Sequence, residues 1–135
     1  MRRMYVFTAM TIGLTAGLLL AQVDSDYQAW MKSNGAAMGS LNKNLMAKDG
    51  PGAAADAEKL EANLKQVEEY WQKKGTADAM DFAQRGQMAA AMIAKDALSG
   101  NLEQASADFK MLQGACGGCH MAHRAGTAQT GFKMK

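Results

Sequence analysis

The stretch AAADAEKLEANLKQVEEYWQKK, residues 53 to 74, sets Ala57, Leu60, Leu64, Val67 and Trp71 at intervals of three and four. Apolar residues so spaced share one stripe of an α-helix, and the charges between them fall on the opposite side. A half-buried strand would need a period of two instead. The stretch therefore predicts an amphipathic helix with one face for a core. Lys73, Lys74 and Gly75 suit its C-terminus, and Thr76 is a candidate cap for the next helix.

The same reading extends in both directions. Upstream, KDGPG at residues 48 to 52 is a stop signal, with Gly50 suited to a helix end and Pro51 lacking the donor that continuation needs. Before it, a first helix is predicted from the Asp24-Ser25-Asp26 cap to about Lys48, with Tyr27, Met31, Met38, Leu41 and Leu45 facing inward. Downstream, a third helix covers about Ala77 to Ser99. Phe82, Met88, Met92 and Leu98 supply its bulk, and Ala83, Gly86, Ala90, Ala94 and Ala97 form a small-residue stripe for close helix approach. After Gly100-Asn101, a fourth runs from Leu102 to about Arg124, and AGTAQTGFKMK is expected to be a loose tail. With one proline and few β-branched residues among the 135, the composition favours helix throughout. Four amphipathic helices with short connections predict an all-α fold, an antiparallel up-down-up-down four-helix bundle.

The opening residues, MRRMYVFTAMTIGLTAGLLLAQ, are of a different kind. Arg2 and Arg3 precede an uncharged apolar run from Tyr5 to Ala21, the pattern of a secretory signal peptide. Residues 1–21 are read as that signal and residues 22–135 as one mature domain. An uncleaved anchor is the alternative, with the run at the short edge of what spans a bilayer. Losing Arg2 and Arg3 leaves 13 basic residues against 13 acidic ones. A nearly neutral chain with its charges mixed along helix faces has no resemblance to a nucleic-acid binder.

The two cysteines both lie in CGGCHMAHR, residues 116 to 124. A disulfide closing so short a loop would constrain little of the unfolded chain. A thioredoxin-like pair needs a βαβ context, and zinc needs four ligands where only Cys116, Cys119, His120 and His123 stand on one or two turns of a helix. C-x-x-C-H is instead the attachment signature of c-type haem. Residues i and i+3 share a helix face, as two thiols must to reach two vinyl groups on one porphyrin edge. His120 then lies beneath the macrocycle and can bind iron.

The placement of CGGCHMAHR at the end of four helices resembles the C-terminal motif of the class II c-type cytochromes, the cytochrome c-prime family. YQAWMKSNGAAMGSL, residues 27 to 41, is similar to that family's first helix. The resemblance implies a bundle enclosing one covalent haem c, with Cys116 and Cys119 as thioether anchors and His120 as proximal ligand. It aligns Met31 with the distal position, as in the low-spin branch, with Met38 as the fallback. Arg124 matches a family position near the proximal side. Two residues depart from the pattern: His123 replaces an aromatic residue, and Tyr27 replaces an arginine near the haem edge. Gly35, with Gly39, would let the porphyrin approach the first helix closely. His123, on the same helix as His120, cannot reach the opposite axial position. Trp30 and Trp71 read as core or interface residues.

No catalytic constellation stands out, so the expectation is a non-enzyme. The leading reading is a periplasmic electron carrier with His120/Met31 iron ligation, serving redox partner proteins. The alternative is a gas-binding haem protein for nitric oxide or carbon monoxide with an open distal site. A small haem-free bundle is the third reading. The resemblance also implies a homodimer through the first two helices.

Overall fold

The computed structural model describes residues 10–127 and 131–135, with side chains from Ser25 onward. Four helices pack against one another: α1 (Met10–Met46), α2 (Gly50–Lys74), α3 (Ala77–Leu98) and α4 (Leu102–His123). Among the described residues no helix is long and apolar enough to cross a membrane. Residues 1–9, including Arg2, Arg3 and the start of the expected signal segment, lie outside the described residues.

Successive helices run antiparallel, as their contacts show. Tyr27 near the middle of α1 bonds Trp71 at the end of α2, while Asn44 at the end of α1 bonds Asp56 near the start of α2. The start of α2 at Gly50 meets the end of α3 at Ala97, and Phe82 early in α3 lies against Gly118 late in α4. Each helix packs on its sequence neighbour, but α1 and α4 barely touch. The bundle is thus open along one seam.

Two apolar clusters fill the interior. The larger gathers Leu41, Leu60, Ile93 and Leu112, all fully buried, around the alanines of α2 and α3. The smaller, at the other end, holds Tyr27, Val67, Tyr70, Trp71, Ala79 and Ala83. The small-residue stripe of α3 is buried as expected, from Ala79 through Ala83, Gly86, Ala90 and Ala94 to Ala97. The bulky residues expected beside it are not: Met88, Met92 and Leu98 are exposed, and Phe82 is half-buried. Alanine and glycine allow the neighbouring helices to approach closely, and Ile93 is the large side chain of α3 that this packing keeps buried.

Four further corrections concern helix ends and the tail. Asp24-Ser25-Asp26 does not start α1, which runs through it from Met10. Asp and Ser favour caps yet are tolerated within a helix when good helix formers flank them. KDGPG starts α2 as much as it stops α1. Lys48 takes the left-handed conformation (φ 59°), the Asp49 carboxylate accepts a hydrogen bond from the Gly52 amide at 3.0 Å, and Pro51 sits in the first turn. Gly50 is needed for close approach, because a Cβ there would lie 2.5 Å from the Ala97 carbonyl oxygen. Thr76 occupies the N-cap position of α3 without a capping bond from its side chain.

The expected loose tail instead forms an antiparallel pair, β1 (Arg124–Thr127) with β2 (Gly131–Met134). Arg124 pairs with Met134, and Gly126 with Phe132. The Arg124 guanidinium stacks 4.2 Å from the Phe132 ring centre, and the Lys135 amide donates to the His123 carbonyl at 2.8 Å. The pair is thereby tied back to the end of α4.

Candidate functional site

The open seam between α1 and α4 becomes a cavity of about 1030 Å³. That is at the upper end of the range for small-molecule sites, about 300–1,000 Å³. All seven residues singled out in the sequence line it: Tyr27, Met31 and Gly35 from α1, Cys116, Cys119 and His120 from α4, and Arg124 from β1. Met38 lines it too, whereas Gly39 does not.

The α4 wall follows from helical geometry. Residues 116 to 120 remain α-helical, so Cys116 and Cys119 stand one turn apart on one face. Both are half-buried thiols. Cys116 packs against the larger core cluster and Cys119 against the smaller, so the pair sits where the two meet. Burial raises the Cys116 thiol above its usual range. Burial, with Cys116 and Asp78 adding to it, pushes Cys119 up to about 11. Burial, and then the Arg124 charge, holds the His120 imidazole below its usual value, which favours the neutral ring that a metal requires.

The two glycines of CGGCH differ. A Cβ on Gly118 would fall 2.5 Å from the Phe82 ring, so glycine there sets the α3–α4 distance. Nothing lies within 4 Å of a Cβ on Gly117. Gly35 on the opposing wall is likewise open, leaving α1 backbone accessible from the cavity. Met31 and Met38 flank Gly35 one turn to either side, half-buried and packed on the smaller and larger clusters respectively.

Tyr27 is fixed from behind. Its hydroxyl accepts a hydrogen bond from Trp71 Nε1 at 3.2 Å, and its ring centre lies 4.5 Å from that of Tyr70. Burial, only partly opposed by the bond from Trp71, pushes the phenol up to about 12. Trp71 is a core residue, 3% exposed, and Trp30 is half-buried at the cluster's edge. His123 packs 5.0 Å from Trp71, ring centre to ring centre, and its Nε2 lies 2.8 Å from Asp78 Oδ2. That bond holds the Asp78 carboxyl below its ordinary value. His123 is thus a hydrogen-bonding neighbour of the cavity.

Sequence reading missed several wall residues. Leu64, Val67 and Phe82 are ordinary helix-face residues with no signal beyond their spacing. Phe132, Lys133, Met134 and Lys135 reach the cavity only because the tail folds back. Gly126 and Gly131, with φ of 86° and 79°, are the signal that a turning segment rather than a free end was present.

Among the described residues, no group of three or more His, Cys, Asp and Glu side chains is placed to hold a metal ion by itself. The donors present suit a planar prosthetic group better: two thiols on one face, an imidazole beside them, thioethers on the opposing helix and largely apolar walls between. Comparison of the chain with models of known protein families, with curated proteins and with solved structures finds no match.

Proposed function

We propose that this chain is a mono-haem c-type cytochrome, carrying electrons between redox partner proteins in the periplasm. One observation supports the reading above all: Cys116, Cys119, His120 and Met31, from opposite ends of the sequence, line a single cavity of sufficient size. A haem bound there would supply an iron that gains and loses one electron.

The chain's own residues have separate tasks. The thiols of Cys116 and Cys119 would hold the group by adding across its two vinyl double bonds, each addition forming a carbon–sulfur and a carbon–hydrogen bond as the S–H and vinyl π bonds break. His120 offers a ring nitrogen from the α4 side. Met31 offers its sulfur from the α1 side, with Met38 one turn beyond Gly35 as the second candidate. Tyr27, held by Trp71, fixes part of the cavity wall. A homodimer through α1 and α2, with Trp30 at its surface, belongs to the same reading.

A second reading has its own observation. The α1 wall is open at Gly35, leaving space where a small gas could bind if neither methionine ligates. The reading is then a sensor or carrier of nitric oxide or carbon monoxide.

The test is the visible spectrum of protein co-expressed with the haem-attachment machinery, ferric and ferrous, with and without carbon monoxide. A low-spin spectrum with a weak far-red sulfur-to-iron band, indifferent to the gas and lost in Met31→Leu, is the expected result. A high-spin spectrum that shifts with the gas would transfer the assignment to the second reading. Colourless protein without covalent haem would overturn both.

A further inference from the structure

The cavity has a charge asymmetry that its apolar walls do not explain. Lys32, Lys74, Arg124, Lys133 and Lys135 all line it, and among the described residues no aspartate or glutamate does. The mature sequence is balanced in sign, so this segregation arises from folding. Three of the cations are already engaged: Lys135 Nζ donates to the Met121 carbonyl at 3.1 Å, Arg124 stacks on Phe132, and Lys74 Nζ lies 4.7 Å from the Tyr70 ring centre. Lys133 and Lys32 have no carboxylate within ion-pair reach among the described residues. Both are exposed, one on β2 and the other on α1. They reach the same cavity from different elements because the β1–β2 pair folds back over the end of α4.

We propose that this rim is an anion subsite, in which Lys133 and Lys32 pair with the carboxylates of a flat, largely apolar dianion whose ring occupies the cavity. The proposal rests on the haem reading and specifies how the carboxylates of the group are held. It also assigns a task to the C-terminal strand pair, which brings Lys133 to the rim.

The test uses the full-length chain and deuteroporphyrin IX, followed by quenching of Trp30 and Trp71 emission. This porphyrin has neither iron nor vinyl groups, so axial ligation and thiol addition contribute nothing. Its dimethyl ester has the same ring without the charges. The diacid is expected to bind about tenfold more tightly than the diester, in keeping with two exposed ion pairs. Lys32→Gln/Lys133→Gln should abolish that preference, while Lys95→Gln, on the outside of α3, should retain it. Equal binding of the two porphyrins by the wild type would overturn the anion subsite and leave the ring site standing. A preference that survives in the double variant would overturn the assignment to these lysines. If neither porphyrin quenches, the subsite falls together with the ring site, and covalent haem attachment remains the separate test of the haem reading.

Discussion

Trp71 Nε1 donates a hydrogen bond to the hydroxyl of Tyr27 across the α1–α2 interface, at 3.2 Å and with both side chains buried. Tyr27→Phe keeps the ring contacts and strands the indole N–H. A buried donor left unpaired costs about 1–3 kcal/mol, and denaturant unfolding of the variant should show a loss of that size. A change near zero would mean that solvent from the cavity takes over as acceptor.

Stability should fall in alkali, in a defined window. Burial raises Tyr27 from 10.0 to about 12 and Cys119 from 9.0 to about 11, so the folded state holds both groups protonated. For raised values the stabilisation is complete below the unfolded value and disappears as the pH climbs through the folded one. The urea midpoint of the unloaded chain should therefore be level to pH 9 and decline between 9 and 12. If Cys119 is converted to a thioether, as the proposed haem attachment requires, its share is removed and the decline should begin about one unit later, when Tyr27 starts to titrate.

Gly117 and Gly118 are adjacent but should respond oppositely to alanine. Gly118→Ala drives a methyl into the Phe82 ring and should cost about 1–3 kcal/mol, as overpacking does. Gly117→Ala meets open space and should stabilise by up to about 1 kcal/mol through helix propensity. Thermal melts of the two variants decide it, and Phe82→Leu should relieve most of the Gly118→Ala penalty if the ring is the obstacle.

The His123–Asp78 contact should leave an acid signature more than a stability effect. The bond from His123 depresses the Asp78 carboxyl, so its contribution is present above the ordinary carboxylate range and lost as the pH falls through the depressed value. Asp78 is exposed, so Asp78→Asn should scarcely alter unfolding at neutral pH. In the wild type, the Asp78 carboxyl followed by NMR should titrate below the ordinary carboxylate range. An ordinary Asp78 titration would mean that the contact does not persist in solution.

The four helices were legible because each carries a long apolar stripe and the breakers between them are chemically explicit. The α3 stripe of Ala83, Gly86, Ala90 and Ala94 announced close packing, but spacing did not show that Met88 and Met92 would be exposed beside it. Asp49 and Pro51 illustrate a different limit. A stop for one helix and a start for the next draw on the same residues, and only the geometry of Lys48 separates them. The Cys116, Cys119 and His120 wall could be read because its residues are neighbours in sequence. Lys133 and Phe132 could not, since their place depends on an eleven-residue tail turning back on α4, where Thr127, Thr130 and Phe132 favour strand but show no alternating pattern.

Left empty, the open seam weakens the hold on α1. With scarcely any contact to α4, α1 leans on α2 alone, whereas α3 has a neighbour on each side. Amide protons between Tyr27 and Gly39 should accordingly exchange through local opening well before those of α3. A group filling the seam and touching both walls gives α1 its second neighbour and slows that exchange. An empty chain and a full one would then differ most at the first helix, and limited proteolysis between Tyr27 and Gly39 should tell them apart.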